Sequence, residues 1–325
     1  MIRLPFIVKP TCGIGKFFKD VRMHRHIRLI IFSLLIALLW TVPCLADVVE
    51  RFETGSINWT LGKLSATGIT LPADDDPRKI DCQKALAAAK TRAFQQLLEI
   101  VKAVRIDADS RVGDFAEKSD RVMAKLMDMV KEADIVRQEY LTNGTADVGV
   151  QMSLFGGFSQ LVLPAEIEHV ESVKPVNSKV NDIQGMVTSI NASDYSGLII
   201  DARGLGIKPA MTPRIYDENL NEVYGPVFVS RETAVQKGLC CYVDDMAYAI
   251  DHPSAGEYPL TVKGLRQKNG RGADIIISNA DAQTLKSSSA HLAFLRQCNV
   301  IILVDADNPP PENHQVGLTA TDDPE

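Results

Sequence analysis

Side chains that could perform chemistry are few in this 325-residue chain and form no recognisable catalytic pattern. After residue 46 the chain has four histidines, at His169, His252, His291 and His314. Only His252 and His291 lie in segments with a folding pattern. Neither belongs to a GxSxG or HExxH motif, which hydrolases and metalloproteases use to position their reactive groups. The sequence therefore predicts no catalytic residues and favours a protein that is not an enzyme.

A glycine-containing turn is the best candidate for ligand binding. Arg203-Gly-Leu-Gly206 follows a predicted strand, but no helix follows whose amino terminus would face an anion. One interpretation is a tight turn fixed by an ion pair between Asp201 and Arg203. The other is a ligand or contact loop, in which Arg203, Lys208 and Arg214 meet an anion beside Asp201. Neither interpretation predicts a cofactor.

Acidic clusters do not predict a metal site. Asp74–Asp76 and Asp244-Asp245 lack the alternating oxygen ligands and the central glycine of a calcium loop. The cysteines also lack the CxxC or Cys/His spacing that zinc sites use. We therefore expect no bound metal.

The first 46 residues have the pattern of a secretory signal peptide. Twelve uncharged residues run from Leu29 to Trp40, directly after the basic Arg25 and Arg28. Small residues follow, which predicts signal cleavage between Ala46 and Asp47. The protein is therefore predicted to be exported to the bacterial periplasm or to an outer-membrane-associated position.

Translation from Met23 would give a cleaved leader of ordinary length. Two alternatives to this cleavage remain open. An uncleaved anchor over Ile27 to Leu45 would have the ~20 residues that a bilayer requires. Lipid modification of Cys44 is the second alternative. Membrane contact is expected only through a leader that is not cleaved.

Export places the remaining cysteines in an oxidising compartment. Cys82, Cys240, Cys241 and Cys298 follow the leader, and disulfides form readily outside the cytoplasm. A bond from Cys240 or Cys241 to Cys298 is one interpretation. Free thiols packed as small apolar side chains are the other.

Charge separates the leader from the rest of the chain. The whole sequence has a net charge of -6, from 35 basic and 41 acidic residues. Seven of the basic residues and one acidic residue lie within residues 1–46, so the rest has a net charge of -12. An acidic exported protein lacks the basic surface that nucleic acids require. We therefore expect no nucleic-acid partner.

Residues 47–164 are predicted to form a first α+β domain. Ser56 to Ile69 is interpreted as one long strand with a kink at Gly62. A helix over 79–104 and a second over 114–133 follow from their amphipathic spacing. Two strand patterns, Ile135–Leu141 and Ala146–Leu154, flank Asn-Gly, which predicts a hairpin.

Residues 165–183 are polar, contain Pro175, directly follow Pro164 and are interpreted as a linker. Residues 184–305 then predict a second α+β domain of short strands and helices, ending in the apolar strand Val300–Val304. Residues 306–325 have no apolar pattern and are predicted to be a disordered tail. The expected fold class is thus α+β, with two small domains, each a mixed or antiparallel sheet packed with helices.

The first domain resembles a known family of exported bacterial domains. The resemblance rests on Ala66-Thr-Gly68, on an alanine-spaced helix leading into Leu97-Leu98, and on Gly156-Gly157 with Leu161. The alanines concerned are Ala85, Ala89 and Ala93. The family is named for a twenty-kilodalton surface lipoprotein, and the amino-terminal domain of the flagellar T-ring assembly protein is related to it.

This resemblance implies a cell-envelope protein with no catalytic residues to transfer. The expected function is therefore non-enzymatic: contact with envelope proteins or self-association, in flagellar or another envelope assembly. The alternative is a periplasmic protein that binds a small anion or glycan through its second domain.

Overall fold

The computed structural model describes residues 47–71, 82–142, 144–167, 195–270 and 272–306. Residues 1–46, with the predicted leader and Ala46, lie outside the described residues, as do most of the predicted linker and residues 307–325. The described residues all belong to one compact unit. Among them, no helix has the length and apolar character needed to cross a membrane.

An antiparallel sheet of five strands organises the first region. The strands are β1 (Val49–Phe52), β2 (Gly55–Asn58), β3 (Lys63–Thr70), β4 (Asp134–Tyr140) and β5 (Ala146–Ser153). Their order across the sheet is β1-β2-β3-β5-β4. The predicted β4–β5 hairpin is confirmed. The prediction of a single kinked strand is wrong. The chain reverses at Gly62, whose φ of 61° suits a turn, and this turn separates β2 from β3.

Helix α1 (Cys82–Ala103) lies against β3 and β5. Gly68 permits this close approach, since a Cβ there would lie 2.1 Å from the Ala89 carbonyl oxygen and 2.3 Å from the Ala93 nitrogen. The predicted second helix is divided into α2 (Val112–Glu117) and α3 (Asp120–Lys131). Ser119 separates them with extended backbone.

A parallel sheet forms the centre of the second region. Its strands are β6 (Gly197–Asp201), β9 (Cys241–Val243), β10 (Pro259–Lys263) and β13 (Val300–Leu303), in the order β10-β6-β13-β9. A smaller sheet has the order β11-β12-β7-β8, from β7 (Ile215–Tyr216), β8 (Glu222–Tyr224), β11 (Arg266–Gln267) and β12 (Ile275–Ile276).

Short helices connect these strands. They are α4 (Gly157–Val162), α5 (Arg231–Lys237), α6 (Met246–Asp251), α7 (Asn279–Lys286) and α8 (Ser289–Arg296). The predicted α+β class is confirmed. The expectation of mixed or antiparallel sheets needs one correction, because every pair in the β10-β6-β13-β9 sheet is parallel. Both central strands, β6 and β13, are apolar throughout except for Asp201, as a sheet buried on both faces requires.

Polar contacts join the two regions. Asp47 forms an antiparallel bridge with Val243, so the start of the first region continues into the edge of the parallel sheet. Trp59 packs edge-on against Tyr242, with ring centroids 6.1 Å apart. Arg105 donates a hydrogen bond across the boundary to the Pro209 carbonyl at 2.9 Å, and within the first region it donates two to the Glu50 carboxylate, at 3.1 and 2.6 Å.

Candidate functional site

The carboxyl edge of the parallel sheet contains the predicted contact loop. Asp201 ends β6 and accepts hydrogen bonds from the Arg203 guanidinium at 2.9 and 3.0 Å. Lys263, at the end of β10, lies 3.5 Å from the same carboxylate. The hydrogen bonds from Arg203 lower the pKa of Asp201 to about 2. Asp201 is therefore ionised near neutral pH, and Arg203 and Lys263 balance its negative charge at the turn.

The glycine turn binds a carboxylate of the chain itself. Gly204 donates its backbone N–H to Asp305 Oδ1 at 2.7 Å, and Gly206 donates to Asp305 Oδ2 at 3.3 Å. Both glycines have positive φ, of 80° and 65°, which aims their N–H groups at this carboxylate. The backbone donors that an external anion would need are thus already satisfied by Asp305.

The other members of the predicted contact loop serve different contacts. Arg214 forms ion pairs with Glu222 at 2.9 Å and with Glu166 at 3.0 Å. Lys208 is exposed, and its backbone N–H donates to the Gly272 carbonyl. Two of the three predicted cations, Arg203 and Arg214, are therefore committed to carboxylates. This arrangement does not form the open anion site that the sequence suggested.

Residues 197–306 match a family model. Its description is Treponema pallidum Tp0624, second domain. The match starts at the first residue of β6 and includes Asp305, so it contains both smaller sheets. No curated protein matches the chain. We refer to residues 197–306 as the Tp0624-like region.

A cysteine and a histidine meet within the Tp0624-like region, a contact that the sequence spacing did not reveal. Cys241 Sγ lies 3.8 Å from His252 Nε2. His252 Nδ1 accepts the Ser254 N–H at 3.1 Å, so the neutral ring has its proton on Nε2 and cannot accept one there. Burial raises the pKa of Cys241 to about 12 and lowers the pKa of His252. The pair is not arranged to generate the thiolate that nucleophilic catalysis needs.

The four described cysteines are all free thiols. The possible disulfide among Cys240, Cys241 and Cys298 is therefore not formed in the structure. Burial raises the pKa of Cys240, and raises that of Cys298 to about 11. These thiols are protonated at neutral pH and pack as small apolar groups.

The other candidate histidine is a core residue. His291 is fully buried, and its Nδ1 donates to the Thr284 carbonyl at 2.8 Å. Its Nε2 accepts the Tyr195 N–H at 3.4 Å, and the Tyr195 and Phe294 rings pack beside it. Both ring nitrogens are thus used to hold α8 against its neighbours. Within the described part of the chain, no group of three or more acidic, cysteine or histidine side chains could hold a metal ion.

An open cleft of about 840 Å³ lies beside α2 and α4. Its apolar lining comes from Ile106, Phe115 and residues 161–165 and 167. Two cations border it, Lys118 and Arg231. Arg231 is occupied by the carbonyls of Gln160, Leu163, Pro164 and Ile167. The cleft has the size of a small-ligand site.

Strand β4 is an exposed edge strand of the antiparallel sheet. All seven of its residues are exposed, and no described strand pairs with its outer side. The side chains of β4 are exposed because α1 covers β3 and β5 and barely reaches β4. Exposed apolar side chains lie at both ends, namely Ile135, Val136, Tyr140 and Leu141, of which Val136 is 59% exposed.

Protection of sheet edges differs between the two regions. Strand β10, an edge of the parallel sheet, begins with Pro259 and ends with Lys263. Proline, lysine and other charged side chains, and β-bulges, are the features that proteins use on edges to prevent further pairing. Strand β4 contains neither proline nor lysine, but it has the charged residues Asp134, Arg137 and Glu139 and a register shift between Ile135 and Arg137. The sequence predicted β4 as half of a hairpin but gave no signal for its exposure.

Proposed function

We propose that this protein is an exported, non-enzymatic protein of the bacterial envelope, which acts through protein contacts in an envelope assembly. The observation that carries the proposal is the open edge of β4. An unpaired strand presents a row of backbone N–H and C=O groups that an extended segment of another chain can pair with. The exposed apolar side chains at its ends would be covered at the same time.

The sequence supports the compartment and the setting. A leader with a cleavage pattern before Asp47 indicates export to the periplasm or to an outer-membrane-associated position. The resemblance of the first region to the twenty-kilodalton surface lipoprotein family supports an envelope assembly, and its relation to the T-ring assembly protein makes flagellar assembly the example to test. The net charge of -12 after the leader supports protein partners over nucleic acid.

A paired substitution tests the use of β4. In the full chain, Val136→Lys with Tyr140→Lys adds charge to the edge without touching the core. We expect the cross-linked species formed in intact cells to disappear, while the melting temperature stays within about 2 °C. The matched control is Tyr258→Lys with Leu292→Lys, at exposed positions of the Tp0624-like region. If both double variants keep the wild-type cross-links, contact through β4 is wrong.

A second candidate function is small-ligand binding in the cleft beside α2 and α4. Its specific support is the volume of about 840 Å³ with Lys118 at the border. A thermal-shift screen of the full chain with small anions and glycans tests it. A ligand at 100 times its dissociation constant stabilises a protein by about 2.7 kcal/mol. We expect this shift to be lost in Lys118→Ala, and a screen without any shift removes the candidate.

A further inference from the structure

We propose that β4 pairs with β4 of a second copy of this chain, antiparallel and centred on Gln138. In this register Arg137 of each copy lies opposite Glu139 of the other. The proposal rests on the proposed function, because it names the partner of the same edge. The product is one continuous sheet that runs through both copies, with a helix α1 on each half.

The register follows from the charges of β4. When identical strands pair antiparallel, the central residue faces itself. Centring on Arg137 or on Glu139 places like charges opposite each other, which destabilises a strand pair. Centring on Gln138 places two neutral amides together and forms an Arg137–Glu139 pair on each side. Among these three registers, only the one centred on Gln138 is complementary in charge.

The structure places both charged side chains on the same face of the sheet. Arg137 pairs with Gly149 and Glu139 pairs with Asp147 on the neighbouring strand β5. Val148, between them, pairs with Gly68, which faces α1. Because strand side chains alternate, Arg137 and Glu139 project from the face opposite α1. A second copy related by a twofold axis through the sheet presents its Glu139 on that same face.

Arg137 is held in a suitable conformation before pairing. Its Nη2 donates to both oxygens of Asp147, at 3.0 and 2.8 Å. A guanidinium has five N–H donors, so a second carboxylate can bind without breaking this contact. The side chain is about half exposed, 47%, and its remaining donors are accessible.

The apolar residues support the antiparallel direction. Ile135 and Val136 lie at one end of β4, and Tyr140 and Leu141 lie at the other. In the pairing centred on Gln138, the first end of one copy lies beside the second end of the other. The exposed apolar side chains of the two copies are then adjacent and cover each other. A parallel pairing would leave Arg137 next to Arg137.

Cysteine cross-linking of the full chain tests the register. Two copies of Gln138→Cys would have their Cα atoms about 5 Å apart, within the range of a disulfide. Asp134→Cys, in the same exposed strand, would have its two copies about 26 Å apart. We expect a disulfide-linked dimer at position 138 and none at 134 or in the wild type. No dimer at 138, or equal dimer at both positions, overturns the proposal.

Charge reversal provides an independent readout by sedimentation of the uncross-linked chain. Arg137→Glu places carboxylates opposite each other twice, and we expect the dimer dissociation constant to rise about tenfold or more. Arg137→Glu combined with Glu139→Arg restores opposite charges, and we expect a value within about threefold of wild type. If the double variant has a dimer dissociation constant as high as that of Arg137→Glu alone, the proposed register is wrong.

The two proposals can fail separately. If position 138 gives no dimer but the lysine variant of β4 still loses its cross-links in cells, the second copy is wrong and β4 binds a different protein. If position 138 gives a dimer and the lysine variant keeps all its cellular cross-links to other proteins, self-pairing is correct. In that case the wider assembly does not use β4.

Discussion

Replacing Arg105 by Ala would remove an ion pair within the first region together with one hydrogen bond to the Tp0624-like region. Arg105 contacts the Glu50 carboxylate twice and the Pro209 carbonyl once, and its guanidinium lies 5.9 Å from the Trp59 ring centroid. The side chains of Arg105 and Glu50 are only 14% and 29% exposed. Removal therefore leaves a half-buried carboxylate with the Trp59 indole N–H, at 3.3 Å, as its remaining side-chain donor.

The magnitude follows from these contacts. A hydrogen bond to a charged group contributes about 1.5–3 kcal/mol when it is well buried. Residual solvent access to Glu50 reduces this, and we expect Arg105→Ala to lower the free energy of unfolding by about 3 kcal/mol. Arg105→Lys keeps the charge but loses the forked geometry, and we expect about half that loss.

Urea unfolding of the full chain, followed by circular dichroism and tryptophan fluorescence, measures these losses. With a slope of about 3 kcal/mol per molar urea, Arg105→Ala moves the midpoint down by about 1 M. Lys131→Ala is the matched control, because its ion pair with Asp128 is mostly exposed and contributes at most about 0.5 kcal/mol. If Arg105→Ala costs no more than Lys131→Ala, the half-buried Arg105–Glu50 pair does not stabilise the fold.

Three further predictions concern packing and protonation. Gly68→Ala should destabilise the fold by about 3 kcal/mol in the same urea assay, because the added Cβ would overlap the main chain of α1. The control is Gly157→Ala, where the nearest atom lies 3.7 Å from the added Cβ, and this change should cost less than about 1 kcal/mol. The lowered pKa of Asp201 contributes stability that is fully present above about pH 4 and is lost as the pH falls toward about 2. Asp201→Asn should therefore lower the urea midpoint at pH 7 but not at pH 2. An equal lowering at both pH values would contradict this. Burial raises the pKa of Cys241 to about 12. Its labelling by a thiol reagent at pH 8, followed by peptide mass spectrometry, should therefore be at least about 100 times slower in the folded chain than in urea. Equal rates would mean that the thiol is accessible and ionised.

Local patterns predicted most elements of this fold. The helix predicted over 79–104, the β4–β5 hairpin and the apolar strand at Val300–Val304 all lie where their patterns indicate. The strand order of the parallel sheet was not predictable in this way. It depends on which apolar strands meet across long sequence separations, and β9, with only three residues, has too short a pattern to indicate a strand.

The site was less predictable than the fold for a related reason. Asp201 and Arg203 are two residues apart, and their ion pair was correctly considered from the sequence. Asp305, which satisfies Gly204 and Gly206, is about 100 residues away from them, so its role depends on β13 lying beside β6. The exposure of β4 likewise depends on how far α1 reaches across the sheet, which the residues of β4 do not encode.

The contacts of Asp47 bear on the predicted cleavage between Ala46 and Asp47. Asp47 bridges Val243, its carboxylate accepts an amide N–H of Asn58, and the next residue, Val48, donates its N–H to Thr60 Oγ1. A peptidase that cuts between Ala46 and Asp47 needs this stretch of chain in its own extended groove. Docking of Asp47 and cleavage before it are therefore competing events. If the chain is cleaved at this bond, Asp47 can form its bridge with Val243 only after it leaves the peptidase.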